Sequence, residues 1–341
     1  MDKLITFAIP CYNSAAFMSN CIESLLGAGD DTEIIIINDG SADNTGAVAD
    51  SYAEKYPDKV RAIHQENGGH GAGVNRGIAE ASGKYYKVVD SDDRLDPAEL
   101  SCLLDRIREN EAAKKSVDMY VTNYVYVRTD TGERRTMSYR SRFPIEKICT
   151  WDDVKPFGAS QYLMMHSVVY RTELLREHGV ELPRHTFYVD NLYMYEPFPY
   201  VKSIYYMDLD IYLYYVGRDE QSVSEKNVLR RIDQQVLVAQ LMIDCQDLEA
   251  VRAQSRRLYR CMLHDLSIIM SISSVFLYMK KDRESIEKSK ALWRHLKERD
   301  RRAYRKLRFC SVAAFTALPG ALGRSISVGM YRLVHKFMKV N

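Results

Sequence analysis

Four aspartates crowd the stretch "VVDSDDRLDPAEL": Asp90, Asp92 and Asp93, then Asp96. Val88 and Val89 just before them suit a buried strand, so the acids stand at its end. Carboxylates this close repel one another, and a divalent cation among them would remove the repulsion. Oxygen ligands suit Mg2+ or Mn2+, ions that keep waters and share the oxygens of a substrate phosphate. Asp90 and Asp92 bracket Ser91, and in an extended turn both side chains can converge on one side. A cation held there would carry a diphosphate and act as Lewis acid when that group departs. The competing reading is a turn whose acids favour the start of a helix at Pro97, and Asp96 fits that capping role.

Two further loops have unusual chemistry. "NDGSADNT" closes the apolar run "EIIII". Asp39 is placed there to accept hydrogen bonds from a ribose or a base, and Ser41 and Asp43 can shape the loop. An Asp-Gly turn followed by a helix cap at Asp43 or Asn44 explains the same residues. "NGGHGAGVNRG" opens a helix after another strand and is similar to a dinucleotide-binding loop, with Asp90 roughly twenty residues on. That keeps a nicotinamide-dependent oxidoreductase open. Against it, the loop lacks the G-x-x-G/A closure, and the acid that should stand alone heads a cluster. No G-x-x-x-x-G-K-[ST] phosphate loop occurs.

These residues need elements to hold them. "LITFAI" is a first strand, apolar positions recur at helical spacing from Ala16 to Leu26, and "EIIII" is a continuous apolar strand. "NTGAVADSYAEKY" is helical, "KVRAIHQ" a strand, "GVNRGIAEA" a helix, "YYKVV" a strand and "PAELSCLLDRIREN" a helix with Pro97 in its first turn. Residues 1–113 therefore alternate strand and helix, which predicts a doubly wound α/β half with right-handed crossovers. In such sheets ligands lie beyond the carboxyl ends of the strands. "PCYN", "NDGSAD", "NGGHGAG" and "DSDD" all fall at such ends.

After Val117 the strands become longer and partly alternating, around a "TDTG" turn. "HSVVYRTELLREHG", a helix near 190–200 and the strands "SIYYM" and "DIYLYY" follow, and mixed strands here are expected to extend the sheet. From about Glu225 the pattern is helical. The expected layout is a catalytic region over 1–224, with halves 1–113 and 114–224, and a basic helical region over 225–341.

In this order "FAIPCYNSAAFMSNCIESLL", "EIIIINDGSADNT" and "ENGGHGAGVNRGIAEASGKYYKVVDSDD" resemble the family-2 glycosyltransferases. The match is close over residues 4–100 and looser to about 224. The resemblance implies an α/β, Rossmann-like nucleotide-diphospho-sugar transferase fold of the A type, with a mixed sheet and here a C-terminal helical extension. It implies that Pro10, Tyr12 and Asn13 line the nucleotide pocket. Asp39 would bind the nucleoside with Ser41 beside it, and Asn67 and Asn75 would lie around the base and donor sugar. Asp90 and Asp92 would be the D-x-D metal pair, with Asp92 expected as the direct ligand and Ser91 counted among the donor-binding residues.

In the same family a catalytic acid follows another acid near a helix start. Here "HTFYVDNLYMYE" has Val189 in the first place, leaving Asp190 as candidate general base for an acceptor hydroxyl. The missing acid also keeps open a non-catalytic nucleotide- or carbohydrate-binding protein on the same fold. In "YYVGRDEQSVS", Arg218 would hold the diphosphate while Gln221 and Ser222 order the loop; a plain surface turn is the other reading. His166 and His185 are read as structural, with donor phosphate or metal as their contact if functional. The implied reaction is inverting transfer from a nucleotide-sugar donor, a UDP-sugar first, to a hydroxyl of a glycan or lipid-linked acceptor in cell-surface polysaccharide synthesis. The implied cofactor is Mn2+ or Mg2+.

Composition is that of a globular chain, 46% hydrophobic and 28% charged. The 24 Tyr beside 2 Trp suit half-buried strands and grooves for polar ligands. The 7 Cys include no C-x-x-C pair, which argues against a disulfide framework or zinc site and for a reducing compartment. The N-terminus reads as a strand, not a signal peptide. No run of 18 apolar residues occurs, so no ordinary membrane span is expected. Net charge is +2, but residues 280–341 hold 17 Lys/Arg against 5 Asp/Glu, a basic tail on an acidic body. With the apolar stretch Phe309–Leu322 it is expected to lie on an anionic membrane surface, at the inner face of the cell membrane, in an otherwise cytoplasmic protein. The competing reading is a solvated extension packed on the catalytic body. Nucleic acid is not expected as a partner, because few stacking aromatics interleave the charges.

Overall fold

The computed structural model describes residues 3–159, 161–217, 225–318 and 320–338, with side chains to Leu333. The chain divides into two compact units: residues 1–155 with 163–216, and residues 156–162 with 217–341. The first unit ends at Val216, and a short segment before Leu163 groups with the helices.

The first unit begins β1 (Lys3–Cys11), α1 (Met18–Leu26), β2 (Thr32–Asp39), α2 (Thr45–Lys55), β3 (Val60–Gln65), α3 (His70–Glu80) and β4 (Gly83–Val88). These strands are parallel, in the order β3-β2-β1-β4. Every residue of β2 is buried, as a sheet covered on both faces requires. Helix α3 lies close on this sheet because Gly77 has no side chain: a Cβ there would meet Ala8 at 2.7 Å and the Tyr86 hydroxyl.

Beyond β4 come β5 (Arg94–Leu95), α4 (Pro97–Ala112), β6 (Met119–Val121), β7 (Tyr124–Arg128), β8 (Arg134–Met137), β9 (Ile148–Cys149), β10 (Val168–Arg171), α5 (Thr172–Glu177), α6 (Asp190–Tyr195), β11 (Ile204–Tyr206) and β12 (Tyr212–Val216). Strand β10 pairs antiparallel with β4 and continues the sheet through β6, β11 and β9, giving eight strands. Asp96 caps α4 as expected, accepting from the N–H groups of Ala98 and Glu99 at 3.0 and 3.1 Å.

The expectation of one extended sheet is only half the outcome. Strands β5, β12, β7 and β8 form a second, four-stranded sheet. Its alternation sorts the side chains: Val125, Val127 and Leu213 pack together on one side. Tyr124 and Tyr126 of β7 and Tyr212 and Tyr214 of β12 fall on the other, because successive residues of a strand face opposite ways. This tyrosine face stands beside the carboxyl end of β4.

The second unit is helical: α7 (Glu225–Arg230), α8 (Ile232–Asp244), α9 (Leu248–Gln254), α10 (Arg256–Lys280), α11 (Arg283–Arg299), α12 (Arg301–Cys310) and α13 (Gly320–Met338). α10 is 25 residues long, with a mean hydropathy of 1.5 over its most apolar window, enough by length and composition to cross a membrane. The broken apolar runs in its sequence did not suggest this. Of that window, 67% is buried, as in the core helix of a helical unit.

Candidate active site

The ends of β1, β2 and β4 are tied by their loops. Asn13, at φ 50°, donates its N–H to Ser41 Oγ at 3.0 Å, and its Oδ1 accepts from Ala42 N at 2.9 Å. The hydroxyls of Ser14 and Ser91 lie 2.8 Å apart. Pro10 is buried at the end of β1, whereas Tyr12 beside it is 56% exposed. Tyr12, Asn13, Ser41 and Ser91 are thereby brought together on one rim. Asn13 and Ser14 serve this knot, and the N-cap of α1 is Phe17.

Asp39 holds the glycine loop. Its carboxylate accepts from Gly68 N at 2.9 Å, Gly69 N at 2.7 Å and Gln65 Nε2 at 2.7 Å, and Asn67 Nδ2 donates to its carbonyl at 2.9 Å. The glycines let another segment cross. A Cβ on Gly69, at φ 82°, would meet the His185 backbone at 3.0 Å, and one on Gly71 would meet the Pro183 carbonyl at 2.7 Å. Asn75 grips the same segment, donating to Leu182 O and accepting from Leu182 N, both at 2.9 Å. Close chain crossing thus accounts for the glycine pattern that resembled a dinucleotide loop. Asn75 is taken up by Leu182 and is not brought to the rim. His185 donates its N–H to Gly68 O at 2.6 Å and its side chain is exposed.

At the end of β4 the acids meet two histidines. His70 Nε2 lies 3.0 Å from Asp90 Oδ1. His166 Nε2 lies 3.6 Å from Asp90 Oδ2 and 3.9 Å from Asp93 Oδ2. Asp90 N–H donates to Tyr212 Oη at 3.1 Å, and that hydroxyl donates to Asp93 Oδ2 at 2.9 Å. Tyr215 N–H donates to Asp93 Oδ1 at 2.9 Å. Below them Lys87 is buried and donates to the carbonyls of His166 and Val168 at 2.8 and 3.2 Å, which pins the short turn Met165–Ser167.

The charges follow from burial and neighbours. Burial pushes Lys87 down to about 7, against the pull of Asp90. Burial likewise holds the His166 imidazole at about 4, so the ring is neutral at neutral pH. His70 goes the other way: burial works against its charge, but the hydrogen bond and charge of Asp90 outweigh it and raise its pKa. Burial would raise Asp90, but its bond to His70 keeps it below the usual range. Asp93 is raised well above it by burial and by the charges of Asp92 and Asp90.

Ligand atoms of Asp90, Asp93 and His166 lie within 4.8 Å of one another. Both ring nitrogens of His166 are buried without a hydrogen-bond partner, although the ring sits among Tyr124, Tyr212 and Tyr214. A buried, neutral imidazole with no partner beside two carboxylates fits a divalent cation. This set differs from the pair Asp90 and Asp92 expected from the sequence. Asp92 is half-buried in the turn before β5 and acts on Asp93 through its charge.

Asp190 is the first residue of α6, close enough to His70 and Asp90 for their charges to act on it. Burial raises its pKa; the charge of His70 opposes that and the charge of Asp90 adds to it. The N-cap, Val189, has no side-chain cap bond, and the Asp190 carboxylate accepts from the backbone N–H groups of Asp190 and Asn191 and from Asn191 Nδ2 at 3.4 Å. Val189 is buried. Arg218, Gln221 and Ser222 lie outside the described residues. His70 was missed as a site residue in its own right; its place within "GGHGAG", the loop that faces Asp90, was the signal.

A parallel β3-β2-β1-β4 half with acids at the end of β4, extended by mixed strands, is the A-type glycosyltransferase fold. Solved structures with this fold include Staphylococcus aureus TarS 1–349 in complex with UDP-GlcNAc, at a TM-score of 0.65 and 17% identity, covering 97% of this chain and 92% of that one. The mannosyltransferase PcManGT from Pyrobaculum calidifontis, in complex with GDP-Man and Mn2+, matches at a TM-score of 0.53 and 13% identity, over 96% and 87%.

The chain belongs to glycosyl transferase family 2, whose family model matches residues 6–174. It is 34% identical to the uncharacterized glycosyltransferase YibD of Escherichia coli over 181 residues, 52% of this chain and 51% of that protein. It is 28% identical to the glycosyltransferase GlyG of Streptococcus pneumoniae over 57% of this chain and 71% of that one. The chain thus spans about half the length of the first relative and about seven tenths of the second.

Proposed function

We propose that this protein is an inverting glycosyltransferase that moves a sugar from a nucleotide-diphosphate donor, a UDP-sugar first, to a hydroxyl of a glycan or lipid-linked acceptor in cell-surface polysaccharide synthesis. The observation that carries it is the convergence of Asp90, Asp93 and His166 at the carboxyl end of β4, with Asp190 within reach of the charges of His70 and Asp90. The family match and the donors bound by TarS and PcManGT support the choice of donor class.

Asp90, Asp93 and His166 would hold a divalent cation, which supplies Lewis-acid stabilisation to the departing diphosphate. Two oxygens and one nitrogen favour Mn2+ over Mg2+. Asp190 takes the proton of the acceptor hydroxyl while that oxygen forms its bond to the anomeric carbon and the bond to the diphosphate breaks. One displacement inverts the anomeric centre. Its raised pKa makes Asp190 a better base than an ordinary aspartate. His70 keeps Asp90 ionised and oriented, and the tyrosine face of β7 and β12 walls the site. The rim around Tyr12, Asn13 and Ser41 is assigned to the nucleoside.

The test is a panel of nucleotide sugars screened for hydrolysis and for thermal protection, with and without Mn2+. Protection by UDP with Mn2+, and product formation with one sugar, is the expected result. Protection by NAD(P)H in place of it would return the oxidoreductase reading. Binding without turnover across acceptors would favour a non-catalytic binding protein.

A further inference from the structure

In the second unit, α11, α12 and the start of α13 line an open cavity of about 360 Å³. Lys290, Arg294 and Lys297 reach it from one face of α11, at spacings of four and three residues, and Arg308 and Arg324 close it. Among the described residues no carboxylate lines it. Among the described residues only Lys290 of these five makes an ion pair, with Glu287 at 2.8 Å. Trp293 and Tyr304 form an edge-to-face aromatic floor at 6.1 Å. Five cations gathered around one concavity repel one another unless an anion joins them.

Next to the cavity lies an apolar stripe. Leu322, Ile326, Met330 and Leu333 of α13 repeat at helical spacing and are 75%, 43%, 44% and 54% exposed. Leu318 both lines the cavity and is 39% exposed, so the stripe runs up to its mouth. A soluble anion would use the cations and leave the stripe in water; an anionic lipid surface uses both.

We propose that this face docks on an anionic lipid bilayer, with the cavity taking a headgroup phosphate and the α13 stripe lying among the acyl chains. It is independent of the donor chemistry, since no residue of the transfer site takes part. The test is flotation of the full chain with phosphatidylcholine vesicles, with and without a third of phosphatidylglycerol, at low and high salt.

The expected result is binding that needs phosphatidylglycerol and weakens with salt. Arg294→Gln/Arg308→Gln/Arg324→Gln should lower it about a hundredfold, each cation near such a surface being worth about 1 kcal/mol. The Arg→Lys triple variant should retain it, and Leu322→Ser/Ile326→Ser should weaken it while leaving glycerol phosphate binding unchanged. Should the Gln triple variant prove unfolded by circular dichroism, the salt series on the native chain and the Lys variant decide. The proposal is overturned if the folded Gln variant floats like the native chain, if salt has no effect, or if glycerol phosphate binds and vesicles do not.

Discussion

His70 Nε2 lies 3.0 Å from Asp90 Oδ1, joining the first turn of α3 to the acid that ends β4. The glycine loop and the acid turn are thereby one unit. His70→Ala should lower Mn2+ and UDP affinity about ten- to hundredfold, as loss of a residue that orients a metal ligand does. His70→Gln, which keeps an N–H donor, should lose less. Titration calorimetry with Mn2+ and UDP separates the two; equal affinities for all three proteins would remove His70 from the site.

Asp190→Asn should reduce turnover by about 10²–10⁴ while donor binding persists. The base works unprotonated, so activity falls as pH drops through its pKa. Burial raises that pKa, so the acid limb of kcat/KM should lie above the ordinary aspartate value of 3.8. A limb at or below that value in a hydrolysis or transfer assay would argue against Asp190 as the base.

Asp93→Asn should weaken Mn2+ binding at least about tenfold. His166→Phe should do the same and at the same time stabilise the fold by about 1–2 kcal/mol, because two buried nitrogens without partners are removed. Urea unfolding and Mn2+ titration of one protein sample read both effects. Loss of binding in Asp92→Asn, with Asp93→Asn and His166→Phe unaffected, would instead favour the pair expected from the sequence.

Lys87 links stability to pH. Its folded pKa is about 7, below the 10.5 of an ordinary lysine. Between these values the unfolded chain holds a proton that the folded chain has released, so stability rises with pH across that window. Lys87→Met should flatten the rise. It should also loosen the turn that carries His166, since two carbonyls lose their donor. Urea unfolding at pH 7, 8 and 9 checks the sign; a native slope no steeper than that of the variant would contradict it.

Much of the site was legible in the chain. Asp90 announces itself because an apolar strand runs straight into acids, and the Asp96 cap is read from its place before Pro97. The roles of Asp39 and Asn75 were not legible. Asp39 ends β2 and Asn75 lies within α3, but their carboxylate and amide groups bind backbone of Gly68, Gly69 and Leu182, partners that only chain crossing supplies. The second sheet was hidden as well, because "YVYVR" and "YLYYV" alternate as any strand does and nothing local says which strands pair.

Apolar runs of four to eight residues alternating with amphipathic helices suffice to set a parallel sheet, and that sheet places the loops at one edge. To that extent the sequence by itself determined the fold of the first half and the edge where chemistry occurs. Only the tertiary structure decided which side chains meet there. His70, Asp90, Asp93, His166 and Asp190 are scattered over more than a hundred positions. They meet because β10 pairs antiparallel with β4 and because β12 joins β5 in a second sheet. Strand pairing is a long-range choice made by packing, and no local spacing encodes it.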